Sequence, residues 1–134
     1  GYTDANSTEF NLETSHPVID KMEEQKNQVF MGATMRLGGF ECKLLQGSIV
    51  QKVYEKDLII ERHRHRYELN SNYVETLENA GLRCSGKNPQ SGLVEIIEIP
   101  HLKWFIGTQF HPEYSSTVLH PHPLFLSFLK CCID

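Results

Sequence analysis

Trp104-Phe105-Ile106-Gly107-Thr108-Gln109-Phe110-His111-Pro112-Glu113 is the stretch on which the reading of this chain turns. The apolar run Trp104-Phe105-Ile106 predicts a buried strand over residues 104–111. Pro112 has no N–H to give to a sheet ladder, so the strand should stop at about His111. That places a histidine and a glutamate two residues apart at a strand's carboxyl end, where open α/β sheets collect their ligands. A carboxylate beside an imidazole fixes its tautomer and stabilises its protonated form, as a general base requires. Taken alone, His-Pro-Glu is equally a strand-end histidine with a solvated glutamate beside it, and that plainer reading stands first.

The bulk numbers narrow the class. At 134 residues the chain can form one domain with its own core. Its 40% hydrophobic and 22% charged residues are those of an ordinary globular protein. Thirteen basic against 17 acidic residues leave a net charge of −4, which argues against nucleic acid as a partner. No apolar run approaches the roughly 18–20 residues that cross a membrane, and the polar start Gly1-Tyr2-Thr3-Asp4 has no signal-peptide character. Cys42, Cys84, Cys131 and Cys132 show neither disulfide-framework nor zinc spacing. Free thiols in a cytoplasmic protein, with no membrane partner, are the expectation.

Outward from the central stretch, residues 1–15 are polar and predict a surface or pocket loop. Residues 16–22 are expected to be helical, and Glu23–Gln28 to form a solvated connector. Residues 35–44 fit a strand, with Gly38-Gly39 allowing a bend. Residues 48–54 suit strand or helix. Arg36 is read either as lying near the site or, with at least equal weight, as an ordinary strand-edge charge. Leu58–Asn70 is read as extended, with Arg62, Arg64 and Arg66 on one face and His63, His65 and Tyr67 on the other. This run could bind phosphate or nucleic acid, contribute to a metal site, or line a pocket for an anionic substrate. The acidic balance disfavours the first, and two strand histidines are too few ligands for the second. For His63, Arg64 and His65, packed and hydrogen-bonded strand positions are the plain reading. Residues 73–80 have helical spacing closed by Gly81, and residues 82–86 and 93–100 suggest an antiparallel hairpin. Leu124–Lys130 should be a buried, sheet-covering helix, with His120 and His122 as polar loop residues before it.

Four segments change the weight given to His111 and Glu113. Gln109-Phe110-His111-Pro112-Glu113 resembles the His/Glu segment of class I, triad-type glutamine amidotransferases. Ala5-Asn6-Ser7-Thr8-Glu9-Phe10, Gly32-Ala33-Thr34-Met35-Arg36-Leu37-Gly38 and Glu61-Arg62-His63-Arg64-His65-Arg66-Tyr67-Glu68 are similar to segments of the glutaminase domain of the CTP synthase family. They occur in the family's order and span residues 5 to about 128. The resemblance implies an α/β fold: a mostly parallel sheet flanked by helices, with an added antiparallel strand pair. It also implies hydrolysis of the glutamine amide through a cysteine thiolate, with His111 as general base and acid and Glu113 orienting it. On the same ground Glu9 would contact the amino end of L-glutamine, and Arg66 would bind its α-carboxylate. Ammonia would pass to a synthase domain of the same enzyme that aminates UTP to CTP, a step of pyrimidine nucleotide biosynthesis. That step uses ATP and Mg2+, with GTP as activator; no cofactor is expected in this chain.

The chain also departs from the family's pattern. A class I nucleophile sits on a glycine-flanked strand-to-helix elbow. Cys42 is followed by Lys43-Leu44-Leu45 and reads as a small buried hydrophobe; Cys84, Cys131 and Cys132 lack the elbow as well. In the family the elbow and the synthase domain precede the Ala5–Phe10 segment. Residues 1–134 are therefore expected to be a partial amidotransferase domain, inactive alone, that forms an oligomer, a swapped dimer or a marginal monomer. The alternatives are a different amidotransferase, a non-catalytic binding or regulatory module on the same fold, and a metal site of His63, His65, His111 and Glu113.

Overall fold

The longest strand, β3 (Arg36–Leu44), is the spine of the molecule, a computed structural model that describes residues 1–21 and 35–133. Its alternating pattern lets Cys42 and Leu44 face inward. Gly38, at φ 112°, supplies the bend that a side chain would resist. β4 (Leu58–His65) returns beside it, pairing from Arg36↔His65 to Lys43↔Leu58. β6 (Arg83–Lys87), β7 (Val94–Glu98) and β8 (Ile106–Thr108) complete a five-stranded sheet ordered β4-β3-β6-β7-β8. A second sheet of β1 (Ala5–Ser7), β2 (His16–Lys21) and β5 (Tyr67–Leu69) is ordered β1-β2-β5. Among the described residues three helices accompany them: α1 (Ile49–Tyr54), α2 (Val74–Asn79) and α3 (Pro123–Ile133).

The core is Cys42, Leu44, Val50, Ile59, Ile96, Phe110 and Leu124. Gly86 is required where β6 crosses this core. A Cβ there would lie 2.7 Å from Cys42 Sγ and 2.8 Å from Ile96 Cγ1. The ambiguous 48–54 segment becomes α1 because its amino end is well capped. Ser48 Oγ accepts from the Gln51 amide at 3.1 Å, and the buried Glu98 Oε2 accepts from the Ile49 and Val50 amides at 2.9 and 3.3 Å.

The α/β class holds, as do β3, the extended Leu58–Leu69 run, the β6–β7 hairpin and α2. Several details differ. Among the described residues only β1–β2 is parallel, while the other five ladders are antiparallel, in place of a mostly parallel sheet. The 88–93 and 99–105 connections around β7 are too short for parallel crossovers. Residues 16–21 form β2 rather than a helix, because β1 and β5 satisfy its backbone from both sides and Val18-Ile19 favours the extended state. The Trp104 strand shrinks to Ile106–Thr108, as the Trp104 indole turns away to donate to Ser127 Oγ on α3 at 3.1 Å. On α3 only Leu124 is buried; Phe128 and Leu129 remain exposed. His122 is buried, not loop polarity: its Nε2 meets Glu61 Oε1 at 2.9 Å and the Tyr54 hydroxyl at 3.2 Å. Met22, the Glu23–Gln28 connector and Gly32–Thr34 lie outside the described residues.

Candidate active site

Phe110 enters the core while the next residue, His111, reaches the surface. The segment is held from three sides. The Gln109 amide donates to Glu95 O at 2.8 Å, Gln109 Nε2 donates to Tyr67 O at 3.0 Å, and the His111 amide donates to Arg62 O at 2.9 Å. Pro112 then opens a 3-10 turn over Pro112–Ser115, which folds Glu113 back toward the imidazole. His111 Nδ1 and Glu113 Oε1 are 2.7 Å apart, and Tyr114 stacks on the ring at 5.1 Å. With Nδ1 engaged, Nε2 is the nitrogen left for proton transfer. The Glu113 carboxyl is held below the usual range by its own backbone N–H and by His111, so it is ionised at neutral pH. The pair remains open to solvent, His111 at 37% and Glu113 at 55% side-chain exposure.

Beside the pair lies an open cleft of roughly 530 Å³ lined by Met35, Leu37, Arg62, His63, Arg64 and Tyr114. The outward guanidiniums of Arg62 and Arg64 make it suited to a small anion. Arg66 sits at the bend between β4 and β5, half-buried, with its Nε lacking a hydrogen-bond partner. Glu9 is exposed in the turn that follows β1, where its amide donates to Ser7 Oγ at 3.1 Å. Strand register aligns Ser7 with Ile19, Ile19 with Leu69, and Lys21 with Tyr67. Glu9 and Arg66 thus lie toward the same end of the small sheet, and Gln109 ties that end to His111. No hydrogen bond joins Glu9 or Arg66 directly to His111 among the described residues.

Beneath the surface residues runs a buried polar layer. His63 and His65 point inward from β4, as the alternation predicted, while Arg62 and Arg64 point out. Arg36 is no strand-edge charge: it is buried, and its guanidinium binds Glu68 Oε1 at 3.1 Å and Glu95 Oε1 at 2.8 Å. His65 Nε2 meets Glu68 Oε1 at 2.8 Å. His63 Nε2 lies 3.4 Å from Glu95 Oε2, a contact without hydrogen-bond geometry. Burial, then the nearby Arg36 charge, lowers His63 to a pKa of about 3, so it is neutral. These acids escaped sequence reasoning. Their one signal was the placement of Glu95 and Glu98 inside the apolar run Val94–Ile99.

Cys42 and Cys84 are buried, and burial raises their thiols to about 12 and about 11. Neither is a thiolate at neutral pH, as a nucleophile must be. Cys131 and Cys132 lie on the last turn of α3. No group of three His, Cys, Asp or Glu side chains among the described residues is arranged to hold a metal. No helix among them is long and apolar enough to cross a membrane.

Comparison with known proteins gives a consistent result. Residues 8–131 match the family described as Glutamine amidotransferase class-I. The CTP synthase of Bacteroides fragilis is 63% identical over 134 residues, covering 100% of this chain and 25% of the relative. That of Flavobacterium psychrophilum is 58% identical over 133 residues, 99% of this chain and 25% of the relative. A solved structure of the Trypanosoma brucei CTPS glutaminase domain with bound acivicin is 42% identical, with a TM-score of 0.88. It aligns with 98% of this chain and 51% of its own. The chain spans about a quarter of the length of the curated relatives it matches.

Proposed function

The chain belongs to the class I glutamine amidotransferase family, and from that premise we propose that it is part of the glutaminase domain of a CTP synthase. The observation that carries the reading is the 2.7 Å contact between His111 Nδ1 and Glu113 Oε1 just beyond β8. In this reading a cysteine thiolate attacks the side-chain amide carbon of L-glutamine. His111 Nε2 gives a proton to the departing ammonia, and the C–N bond breaks as the C–S thioester bond forms. His111 then takes a proton from the water that hydrolyses the thioester, while Glu113 stabilises its charged form throughout. Arg66 binds the substrate carboxylate and Glu9 its ammonium, each an ion of the complementary sign.

The nucleophile belongs, in this proposal, to a part of the domain outside these 134 residues. The raised, buried thiols of Cys42 and Cys84 support this. Ammonia would serve a synthase domain of the same enzyme that aminates UTP. ATP, Mg2+ and the activator GTP are assigned to that whole enzyme. A cytoplasmic homo-oligomer completes the proposal; the exposed Ile60, Phe128 and Leu129 offer apolar surface to the rest of the domain or to a second copy.

The test is made in the full-length enzyme that carries this segment. His111→Ala should lower glutamine-dependent CTP formation by about 10²–10⁴-fold, with ammonia-dependent formation retained. Unchanged turnover from glutamine would overturn the assignment.

A further inference from the structure

The side chain of Arg36 joins the two halves of the proposed site although it touches neither. Its Nη1 donates to Glu68 Oε1 at 3.1 Å and its Nη2 to Glu95 Oε1 at 2.8 Å. Glu68 lies on β5, two residues after Arg66; the main-chain oxygen of Glu95, on β7, accepts from Gln109, two residues before His111. Gln109 Nε2 in turn donates to Tyr67 O, beside Glu68, at 3.0 Å. The contacts close a ring: Arg36 to Glu68, along the backbone to Tyr67, across to Gln109, to Glu95, and back to Arg36. β5 belongs to the small sheet and β7 to the large one, so the ring bridges the sheets. The guanidinium is itself fixed, lying 4.4 Å from the Phe40 ring centroid.

We propose, building on the glutaminase reading above, that Arg36 is a positioning residue that sets the distance between Arg66, which holds the glutamine carboxylate, and His111, which moves the proton. A planar fork with one arm on each carboxylate holds both strands in a single geometry, which a flexible ammonium cannot do. When the fork is lost, His65 still meets Glu68 at 2.8 Å and His63 still lies 3.4 Å from Glu95, but neither contact spans the two carboxylates. Glu68 Oε2 and Glu95 Oε2 already lack hydrogen-bond partners, and two buried carboxylates would be left facing each other.

The experiment measures CTP formation by the full-length enzyme with Arg36→Gln, using glutamine or ammonia as nitrogen donor. With glutamine, KM should rise and kcat fall, each by about tenfold or more, since small misplacements of binding and reacting groups are costly. The ammonia-dependent rate should stay within about twofold of wild type, as it bypasses the site. A merely structural lesion lowers the fraction of active enzyme, reducing apparent kcat with KM unchanged; that outcome overturns the proposal. If Arg36→Gln does not fold, Arg36→Lys keeps the charge and loses one arm. A raised KM for glutamine in that variant supports the proposal, and KM and kcat both at wild-type values overturn it. A wild-type enzyme that forms CTP from ammonia but never from glutamine would instead sink the glutaminase reading, and this inference with it.

Discussion

The two faces of β4 invert the usual distribution of side chains. Facing in are Glu61, His63 and His65 beside a single aliphatic residue, Ile59; facing out are Leu58 and Ile60, with Arg62 and Arg64. His63 is 1% exposed and Ile60 68%. The inner face is tolerable because partners await it from distant elements. Glu61 meets His122 and Tyr54, His65 meets Glu68, and His63 lies beside Glu95. Among the described residues the outer face has no such arrangement, and β4 is an edge strand of its sheet. The inner face is therefore specified by pairing and the outer face by what it can meet. Stability should respond to the first and association to the second.

The largest effect is expected from Glu95→Ala, which removes one of the two carboxylates that pair with the buried Arg36 and leaves Glu68 alone to balance it. It should cost about 3–5 kcal/mol in denaturant unfolding; a loss below 1 kcal/mol would mean that water reaches the inner layer. Next comes the pH response of His63. Its folded pKa, about 3, lies below the ordinary value of 6.5, so the unfolded chain binds the proton first as pH falls. The stabilisation is complete above pH 6.5 and is lost on acidification toward pH 3. His63→Phe should remove on the order of 3 kcal/mol of that acid sensitivity, read as the difference between the two proteins' urea midpoints across pH 7.5 to 4. Parallel profiles would contradict a neutral buried His63. Gly86→Ala, which crowds Cys42 and Ile96 behind the same sheet, should cost about 1–3 kcal/mol. The smallest effect on stability belongs to the outer face: Ile60→Lys should change unfolding by less than about 0.5 kcal/mol. It should nonetheless reduce self-association in light scattering, and unchanged association would show that this face is not a contact.

What could be read from the chain alone follows the range of the forces involved. The alternation of β4, the helical spacing of α2 and the buried character of Cys42 are local patterns, and all were legible; the Pro112 stop was not, since the strand already ends at Thr108. β2 was not, since its extended form depends on β1 and β5 on either side, the latter nearly 50 residues further on. Arg36 looked like a surface charge because the acids that bury it lie 32 and 59 residues away. His122 was misjudged for the same reason, its partner Glu61 being 61 residues away. The exposed apolar side of α3 was misjudged in the opposite sense: an apolar composition predicts a need for cover, not the presence of it. Of the candidate site, the spacing of His111 and Glu113 allowed their contact but put a solvated glutamate first; the family resemblance reversed that order and alone made Glu9 and Arg66 candidates.

The central claim is a base and its orienting carboxylate without a nucleophile in these 134 residues. It is tested most directly by treating the chain with a glutamine-mimicking electrophile, measuring its intact mass and mapping any label. The account predicts no label, or slow and scattered labelling of Cys131 and Cys132 that glutamine does not block. Rapid stoichiometric labelling of Cys42, prevented by glutamine, would contradict it.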